Sequence, residues 1–276
     1  MVSGHNEERG THTPRSHRVL YALMGLCVVG TIVFAWLLIS GSREYSRGGV
    51  AYEHIRSAVS LPMSLPGPTS GRKDLAAEEG DVVVPQAAPS SGIDFRVARE
   101  LNGDIVGWIV GGEIIDYPIV RGTDNDYYLT HLVNHERNKV GSIFMDYRNQ
   151  GDFFDRATVV YGHNMKDGSM FASLMRYKSQ DYFDQFPTMK LYTPKGDYII
   201  KLFAGKVVDG NEDLACYGSV GTGDFHDQLD ALRKVSTFHS NTVVEADDRI
   251  LILCTCSHET ANARFAVFGK LTPVSD

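Results

Sequence analysis

The first contrast along the chain is between a long apolar run and the polar segment after it. Val19 to Ile39 contains no charged side chain. As a helix rising ~1.5 Å per residue it would reach about 31 Å, enough to cross a bilayer core of roughly 30 Å. A core helix rarely needs apolar residues on every face, and the apolar run of a cleaved signal peptide is usually shorter. We therefore predict an uncleaved transmembrane anchor, with residues 1–18 as a cytoplasmic tail.

The segment after the anchor has the composition of a linker. Tyr45 to Val59 has the pattern of a short helix, but repeated prolines lie among glycine, serine and charged residues between Pro62 and Gly92. Such a composition buries too little apolar surface to order the backbone. We predict that residues 40–92 form a linker or stalk outside the cell and that residues 93–276 form one folded domain.

The charges that flank the anchor predict its orientation. Arg9, Arg15 and Arg18 precede the apolar run, and Arg43 and Arg47 follow it. The positive-inside rule slightly favours an N-terminus in the cytoplasm. The large domain after the anchor would then be exported.

From Ile93 onward the pattern changes to short apolar runs separated by glycine, aspartate and asparagine turns. Asp94 to Asn102 predicts a helix, and Gly107 to Val120 predicts a hairpin that turns at Gly111 and Gly112. Further strands are predicted at residues 140–147, 157–163, 188–193, 197–208, 242–246, 249–256 and 263–271. Many short strands of this kind are typical of a closed antiparallel barrel or a sandwich.

Two helical inserts interrupt the predicted strands. One is Ser169 to Tyr177, and the other is Phe225 to Phe238. The second insert places Leu229, Leu232 and Val235 at intervals of three residues. We expect these side chains to form a single apolar stripe that packs on the sheet.

Composition narrows the possible functions. The formal net charge is -7, so the basic surface that neutralises nucleic-acid phosphates is missing, and we expect no nucleic-acid partner. Of the four cysteines, Cys27 lies in the anchor and Cys216, Cys254 and Cys256 lie beyond it. This spacing forms neither a disulfide framework nor a common metal-ligand pattern, so we expect no metal and no cofactor.

A thiol at the end of a buried strand is the strongest candidate for chemistry. Arg249 to Cys256 is almost entirely apolar, as expected of a strand covered on both faces, and Cys256 would lie at its exposed end. A cysteine is nucleophilic as a thiolate, so it needs a neighbouring imidazole or cation. His163, in the turn after a strand, and Arg264, at the start of the next strand, are the candidates.

Three motifs resemble those of the class B sortases in order and spacing. Ile252 to Cys256 (ILCTC) is similar to the family's TLxTC nucleophile motif except at the first Thr. Tyr161 to Phe171 (YGHNMKDGSMF) is similar to the histidine motif, and Ala263 to Phe265 (ARF) is similar to the arginine strand. GWI, DYPIV, DNDYYL and GSIFMDY, between Gly107 and Tyr147, also resemble class B sequence.

The resemblance covers residues 93–273 and implies both a fold and a reaction. The fold would be mostly β, an eight-stranded barrel with an N-terminal helix and a helix inserted before the last strands. Cys256 would attack a carbonyl within a C-terminal sorting signal and form a thioester. His163 would protonate the departing amine and later accept a proton from the incoming one. Arg264 would stabilise the oxyanion or hold the substrate backbone.

The resemblance also implies substrate contacts, partners and a location. Asn125, Tyr161 and Thr255 would contact the substrate. The partners would be secreted proteins that carry the sorting signal, and an amine of a peptidoglycan precursor or of a pilin would accept the acyl group. The enzyme would lie on the membrane of a Gram-positive cell, with a single anchor and an extracellular catalytic domain.

Other functions remain open from the residues alone. A cysteine protease would use the same groups and pass the acyl group to water. A zinc site could be built from Cys254, Cys256, His258 and His163, although their spacing is uncommon and suits a tetrahedron poorly. A barrel that only binds a partner would need none of this chemistry.

Cys254 introduces a second thiol at the variable position of the nucleophile motif. Residues two apart on a strand face the same side, so Cys254 and Cys256 are expected roughly 6–7 Å apart, at or beyond the reach of a disulfide. Oxidation that joins them after local distortion would switch the enzyme off. The simpler interpretation is that Cys254 packs in the core.

Overall fold

The computed structural model describes residues 15–60, 92–218, 222–256 and 262–274. The chain divides into two compact units, Met1–Ser46 and Arg47–Asp276. Apart from Gly92, the linker predicted between Pro62 and Gly92 lies outside the described residues, as do residues 1–14 of the predicted tail. The division into tail, anchor, linker and domain therefore stays a prediction.

One long helix, α1, extends from Arg15 to Val59. Its segment Val19–Trp36 has a mean hydropathy of 2.2 and is fully exposed, so it is long and apolar enough to cross a membrane. The helix predicted at Tyr45 to Val59 is the last part of α1. An N-terminal helix of this kind serves as a membrane anchor or as a signal sequence.

Eight strands build the second unit: β1 (Ile105–Gly111), β2 (Ile115–Val120), β3 (Ile143–Met145), β4 (Ala157–Gly162), β5 (Thr188–Thr193), β6 (Gly196–Asp209), β7 (Ile250–Cys256) and β8 (Ala263–Pro273). They close into a barrel in the order β1-β2-β3-β4-β7-β8-β6-β5. Helix α2 (Phe95–Leu101) precedes the barrel, and α3 (Gln180–Gln185) and α4 (Thr222–Lys234) lie between strands. The expected eight-stranded barrel with added helices is confirmed.

Two strand pairs are parallel, so the fully antiparallel barrel predicted from the pattern is wrong in this detail. β2 pairs in parallel with β3, and β4 pairs in parallel with β7. A parallel partner needs a connection that returns the chain to the same end of the barrel. Residues 121–142 provide that connection for the first pair, and the segment containing β5, β6 and α4 provides it for the second. The second pair sets the ends of β4 and β7 side by side.

Strand β7 is the buried strand that its apolar sequence predicts. Its first six residues are buried and Cys256 alone is exposed. Ile250, Ile252 and Cys254 share one hydrophobic cluster with residues of α4. That cluster covers the second face of the strand, so only its C-terminal end meets solvent.

Helix α4 packs through a different stripe from the predicted one. Phe225, Leu229 and Leu232 are buried, whereas Val235 is 57% exposed. Val235 lies beyond the last helical residue, Lys234, so the periodicity no longer applies to it. Phe225 takes its place in the apolar face.

The strand predicted at residues 242–246 is also wrong. The main-chain carbonyl of Thr242 accepts a hydrogen bond from the Arg233 guanidinium (3.1 Å), and that of Val243 accepts one from Lys270 Nζ (3.2 Å). Long side chains thus satisfy carbonyl groups that a strand would pair in a ladder. The insert predicted at residues 169–177 is a 3₁₀ helix, Ala172–Lys178, whose buried Leu174 and Tyr177 are three residues apart.

Candidate active site

A cleft of about 210 Å³ opens where β4 and β7 end. Within this parallel pair Gly162 lies opposite Thr255, so the next residues, His163 and Cys256, emerge side by side. β8 runs antiparallel along the other edge of β7 and sets Arg264 opposite Cys256. The structure therefore brings the three predicted catalytic residues into one cleft, which the predicted contacts Asn125, Tyr161 and Thr255 also line.

The Cys256 thiol lies at the exposed end of an otherwise rigid strand. Cys256 still pairs with Arg264 in the β7–β8 ladder. On the other side, Asn164 Nδ2 donates a hydrogen bond to the Cys256 carbonyl oxygen at 3.0 Å. The main chain at the thiol is thus held from two sides, while Cys256 itself is exposed in the cleft.

The His163 ring is oriented by a main-chain carbonyl. His163 Nε2 lies 2.7 Å from Leu129 O, and because a carbonyl oxygen only accepts, Nε2 carries the proton. The ring and the Cys256 side chain lie close enough to shift each other's pKa. Because Nε2 is taken by Leu129 O, Nδ1 is the nitrogen left to interact with the thiol.

The two groups shift each other's pKa in the directions expected of a thiolate and an imidazolium. The hydrogen bond from His163 lowers the pKa of Cys256, against the effect of burial, and the charge of Arg264 lowers it further. The hydrogen bond to Cys256 raises the pKa of His163, again against burial, and the bond to Leu129 O adds to the rise. Each partner stabilises the charged form of the other.

Gly141 forms the wall behind His163. Its φ is +61°, a left-handed conformation that glycine adopts at little cost. A Cβ atom at this position would lie 2.7 Å from Leu129 O and 3.0 Å from His163 Cδ2. Only glycine leaves room for the carbonyl that holds the imidazole. Gly141 O in turn accepts a hydrogen bond from Tyr52 OH of α1 at 2.7 Å.

Arg264 supplies a fixed cation beside the thiol. Its residue lies on β8 between β7 and β6, opposite Cys256 on one side and Val208 on the other. The guanidinium carbon lies 5.9 Å from the centroid of the Tyr161 ring. A guanidinium held at this position offers several N–H donors to an anionic oxygen in the cleft.

A buried carboxylate, Asp146, connects two of the predicted substrate contacts. Asp146 Oδ2 accepts hydrogen bonds from Asn125 Nδ2 (3.2 Å) and from Tyr161 OH (3.1 Å). The Arg148 guanidinium also contacts this oxygen, at 2.8 Å. Asp146 was not among the residues predicted from the sequence, although a carboxylate directly after the apolar run Ile143–Met145 was a usable signal.

Thr255 lines the cleft, but its hydroxyl is buried. The residue is 2% exposed, and its side chain points to the opposite face of β7 from Cys254 and Cys256 because faces alternate along a strand. Within the part of the chain that the structure describes, Thr255 Oγ1 has no hydrogen-bond partner. The hydroxyl is therefore shielded from solvent, and a side-chain contact with the substrate stays a prediction.

The two thiols of β7 and His258 bear on the alternative of a zinc site. Cys254 is buried and free, and Cys256 is exposed and free. His258 of the zinc hypothesis lies outside the described residues. Among the described residues there is no cluster of three or more His, Cys, Asp or Glu arranged to hold a metal ion.

Comparisons with known proteins identify close relatives of the chain. No protein-family model matches it. Sortase B of Listeria monocytogenes is 41% identical over 184 residues, which cover 64% of this chain and 74% of the relative. Sortase B of Staphylococcus aureus is 26% identical over 264 residues, covering 95% of this chain and all of the relative.

A solved structure, the Staphylococcus aureus sortase B-substrate complex, superposes on the chain with a TM-score of 0.61 at 29% identity. The match covers 66% of this chain and 86% of the solved one.

Proposed function

We propose a mechanism for this chain from the premise that it belongs to the class B sortases, a family of cysteine transpeptidases. In this proposal the chain cleaves a C-terminal sorting signal of a secreted protein and transfers the new acyl group to an amine. The observation that carries the proposal is that Cys256, His163 and Arg264 line one cleft, where His163 lowers the pKa of Cys256 and Cys256 raises the pKa of His163.

The first half of the reaction forms a thioester on Cys256. The thiolate adds to the carbonyl carbon of the scissile peptide bond, and the carbonyl oxygen becomes an oxyanion. The His163 imidazolium gives its proton to the amide nitrogen, the C–N bond breaks, and the tail of the signal leaves as an amine. Cys256 keeps the acyl group as a thioester, and His163 is left neutral.

The second half reverses these roles with a different amine. An amine of a peptidoglycan precursor or of a pilin adds to the thioester carbonyl, and neutral His163 accepts a proton from it. The C–S bond then breaks, which restores the Cys256 thiolate and the His163 imidazolium. The same group acts as acid and then as base because the ordinary pKa of an imidazole lies near neutral pH.

Arg264 is the group we assign to the oxyanion. Its position opposite Cys256 in the β7–β8 ladder supports this role. A cation fixed before the reaction stabilises developing negative charge without reorganising, and loss of one such donor typically costs about 10²–10³ in rate. The same guanidinium can also hold the substrate backbone through a charge-assisted hydrogen bond.

Water as the acceptor would make the chain a cysteine protease, and the two reactions share their first half. We favour transfer to an amine because the chain belongs to a transpeptidase family. We further propose that α1 is an uncleaved single-pass anchor and that the catalytic domain lies outside the membrane of a Gram-positive cell. The exposed apolar segment Val19–Trp36 supports this placement.

The test uses the full chain in detergent micelles, a panel of sorting-signal peptides and triglycine as the amine. Intact mass spectrometry should find the acyl group of one peptide on Cys256, and triglycine should convert it into a ligated peptide. Cys256→Ala should form no adduct and no product. Hydrolysis that persists in excess triglycine without ligation would establish the protease instead. An unchanged turnover in Cys256→Ala would overturn both.

A further inference from the structure

Asp146 is a fully buried carboxylate that contacts two residues of the cleft. It is 0% exposed, although its neighbours Asn125 and Tyr161 both line the cleft. Burying a charge is unfavourable unless it is paired and hydrogen-bonded. Arg148 supplies the pairing charge, with its Nε 2.9 Å from Asp146 Oδ1 and a second guanidinium nitrogen 2.8 Å from Oδ2.

This pairing keeps Asp146 ionised. Burial alone would raise its pKa, but the side-chain and main-chain hydrogen bonds from Arg148, with its charge, hold the pKa below the ordinary value. An ionised carboxylate only accepts hydrogen bonds. Every polar neighbour of Asp146 must therefore act as a donor towards it.

That constraint determines which way Tyr161 and Asn125 present their polar atoms. Tyr161 must use its only hydrogen for Asp146, so towards any other group its oxygen acts only as an acceptor. Asn125 Nδ2 donates to Asp146, and its Oδ1 accepts from the Tyr147 main-chain N–H at 3.0 Å. The amide orientation of Asn125 is thus settled, and one N–H of Nδ2 is left as a donor.

We propose that Asp146 is a positioning residue that sets the polarity of the substrate wall, with Asn125 as a hydrogen-bond donor to the carbonyl, and Tyr161 as an acceptor for the N–H, of one extended substrate residue. This inference rests on the proposed transpeptidase function. Asn125 Nδ2 and Tyr161 OH each lie within 3.2 Å of the same carboxylate oxygen. They are therefore about 6 Å apart at most, which suits the carbonyl oxygen and the N–H of one substrate residue in an extended conformation, because those two groups point to the same side.

Asp213 offers a matched control. Two guanidinium nitrogens of Arg148 lie 3.0 Å from its carboxylate oxygens, so it is the second acidic partner of the same arginine. Its side chain is 54% exposed and does not line the cleft. Asp213→Asn weakens the Arg148 network and leaves the bonds from Asp146 to Asn125 and Tyr161 in place.

The test compares Asp146→Asn with Asp213→Asn in the full chain, using the sorting-signal peptide that forms the Cys256 adduct. An amide at position 146 places N–H donors where one of the two carboxylate oxygens accepts hydrogen bonds, and it removes the charge that pairs with Arg148. We expect kcat/KM to fall at least tenfold in Asp146→Asn. Most of the change should be in KM, because the lost hydrogen bonds to the substrate are made equally in the bound ground state and in the transition state. Asp213→Asn should stay within about twofold of the parent.

A second readout separates positioning from general damage to the site. Iodoacetamide alkylates Cys256 without using the substrate wall, so its rate with Asp146→Asn should equal that of the parent. A parallel loss of alkylation and cleavage would overturn the proposal, and so would an equal loss in Asp213→Asn or an unchanged KM in Asp146→Asn.

A third variant, Tyr161→Phe, covers the case in which Asp146→Asn does not fold. It removes only the proposed acceptor and should also raise KM, and an unchanged KM would again overturn the proposal. Adduct formation on Cys256 in the parent chain tests the transpeptidase function separately, whatever these variants do.

Discussion

Replacing Gly141 with alanine tests whether a close main-chain approach holds the imidazole of His163. The added methyl group would lie 2.7 Å from Leu129 O and 2.8 Å from Tyr128 O, distances that real Cβ atoms do not show. Both neighbours are main-chain atoms, so a side-chain rotation cannot relieve the overlap. Leu129 O must move, and it is the acceptor for His163 Nε2.

The expected loss of stability has two parts. Alanine at a φ of +61° costs about 1–2 kcal/mol relative to glycine, and overpacking of this kind adds roughly 1–3 kcal/mol. In a domain of this size each kcal/mol shifts Tm by about 2–4 °C. We therefore expect Tm to fall by roughly 4–20 °C. A displaced imidazole should lower kcat/KM by about 10–100-fold.

Gly168 provides the matched control for the backbone strain. Its φ is +86°, but no atom lies within 4 Å of the position that a Cβ would take. Gly168→Ala should therefore show the conformational cost alone and leave cleavage at the parent rate. The measurements are thermal unfolding by circular dichroism, peptide cleavage and the rate of Cys256 alkylation.

Gly141→Ala and Gly168→Ala together test whether the overlap with Leu129 O causes the loss of stability and activity. If Gly141→Ala and Gly168→Ala lose the same stability, the overlap with Leu129 O is not the cause. If Gly141→Ala loses stability but alkylates and cleaves at the parent rates, then Leu129 O does not hold the imidazole. Either result would refute the role that we assign to Gly141.

Three further predictions use other contacts of the site. His163→Ala should move the rise of Cys256 alkylation with iodoacetamide to higher pH, towards the ordinary thiol value of 9.0, because the imidazole lowers the thiol pKa; an unchanged pH profile would contradict the pairing. Tyr52→Phe should lower the free energy of unfolding by about 1–3 kcal/mol, since it leaves buried Gly141 O without its donor; chemical denaturation measures this. Cys254→Ser should lose activity in peroxide as fast as the parent, and protection would instead establish a switch between the thiols.

The sequence predicted the parts of the site that depend on strand ends. Because the apolar run ending at Cys256 is buried on both faces, its length and composition were enough to find the strand and the exposed thiol. The motif order then supplied His163 and Arg264. The pairing of β4 with β7 brings His163 and Cys256 together. This pairing depends on how the barrel closes, which the local sequence pattern does not specify.

The contacts that orient the site were beyond the reach of the sequence. His163 and Leu129 are 34 positions apart, and their bond depends on how an irregular loop crosses the barrel end. Asp146, Tyr52 and Gly141 act through similar long-range contacts. The strand predicted at residues 242–246 failed for a related reason: β-branched residues favour a strand only where a neighbouring edge is available to pair.

Burial distinguishes the two neighbouring thiols of β7. Cys254 is 1% exposed, and burial raises its pKa to about 12, although the charge of Arg264 opposes the rise. Cys256 meets His163 and solvent, and its pKa moves in the opposite direction. A disulfide between them would require both ladder pairs, Cys254 with Ala266 and Cys256 with Arg264, to distort. The same distortion would pull Arg264 away from the cleft, so the core interpretation of Cys254 agrees best with an intact site.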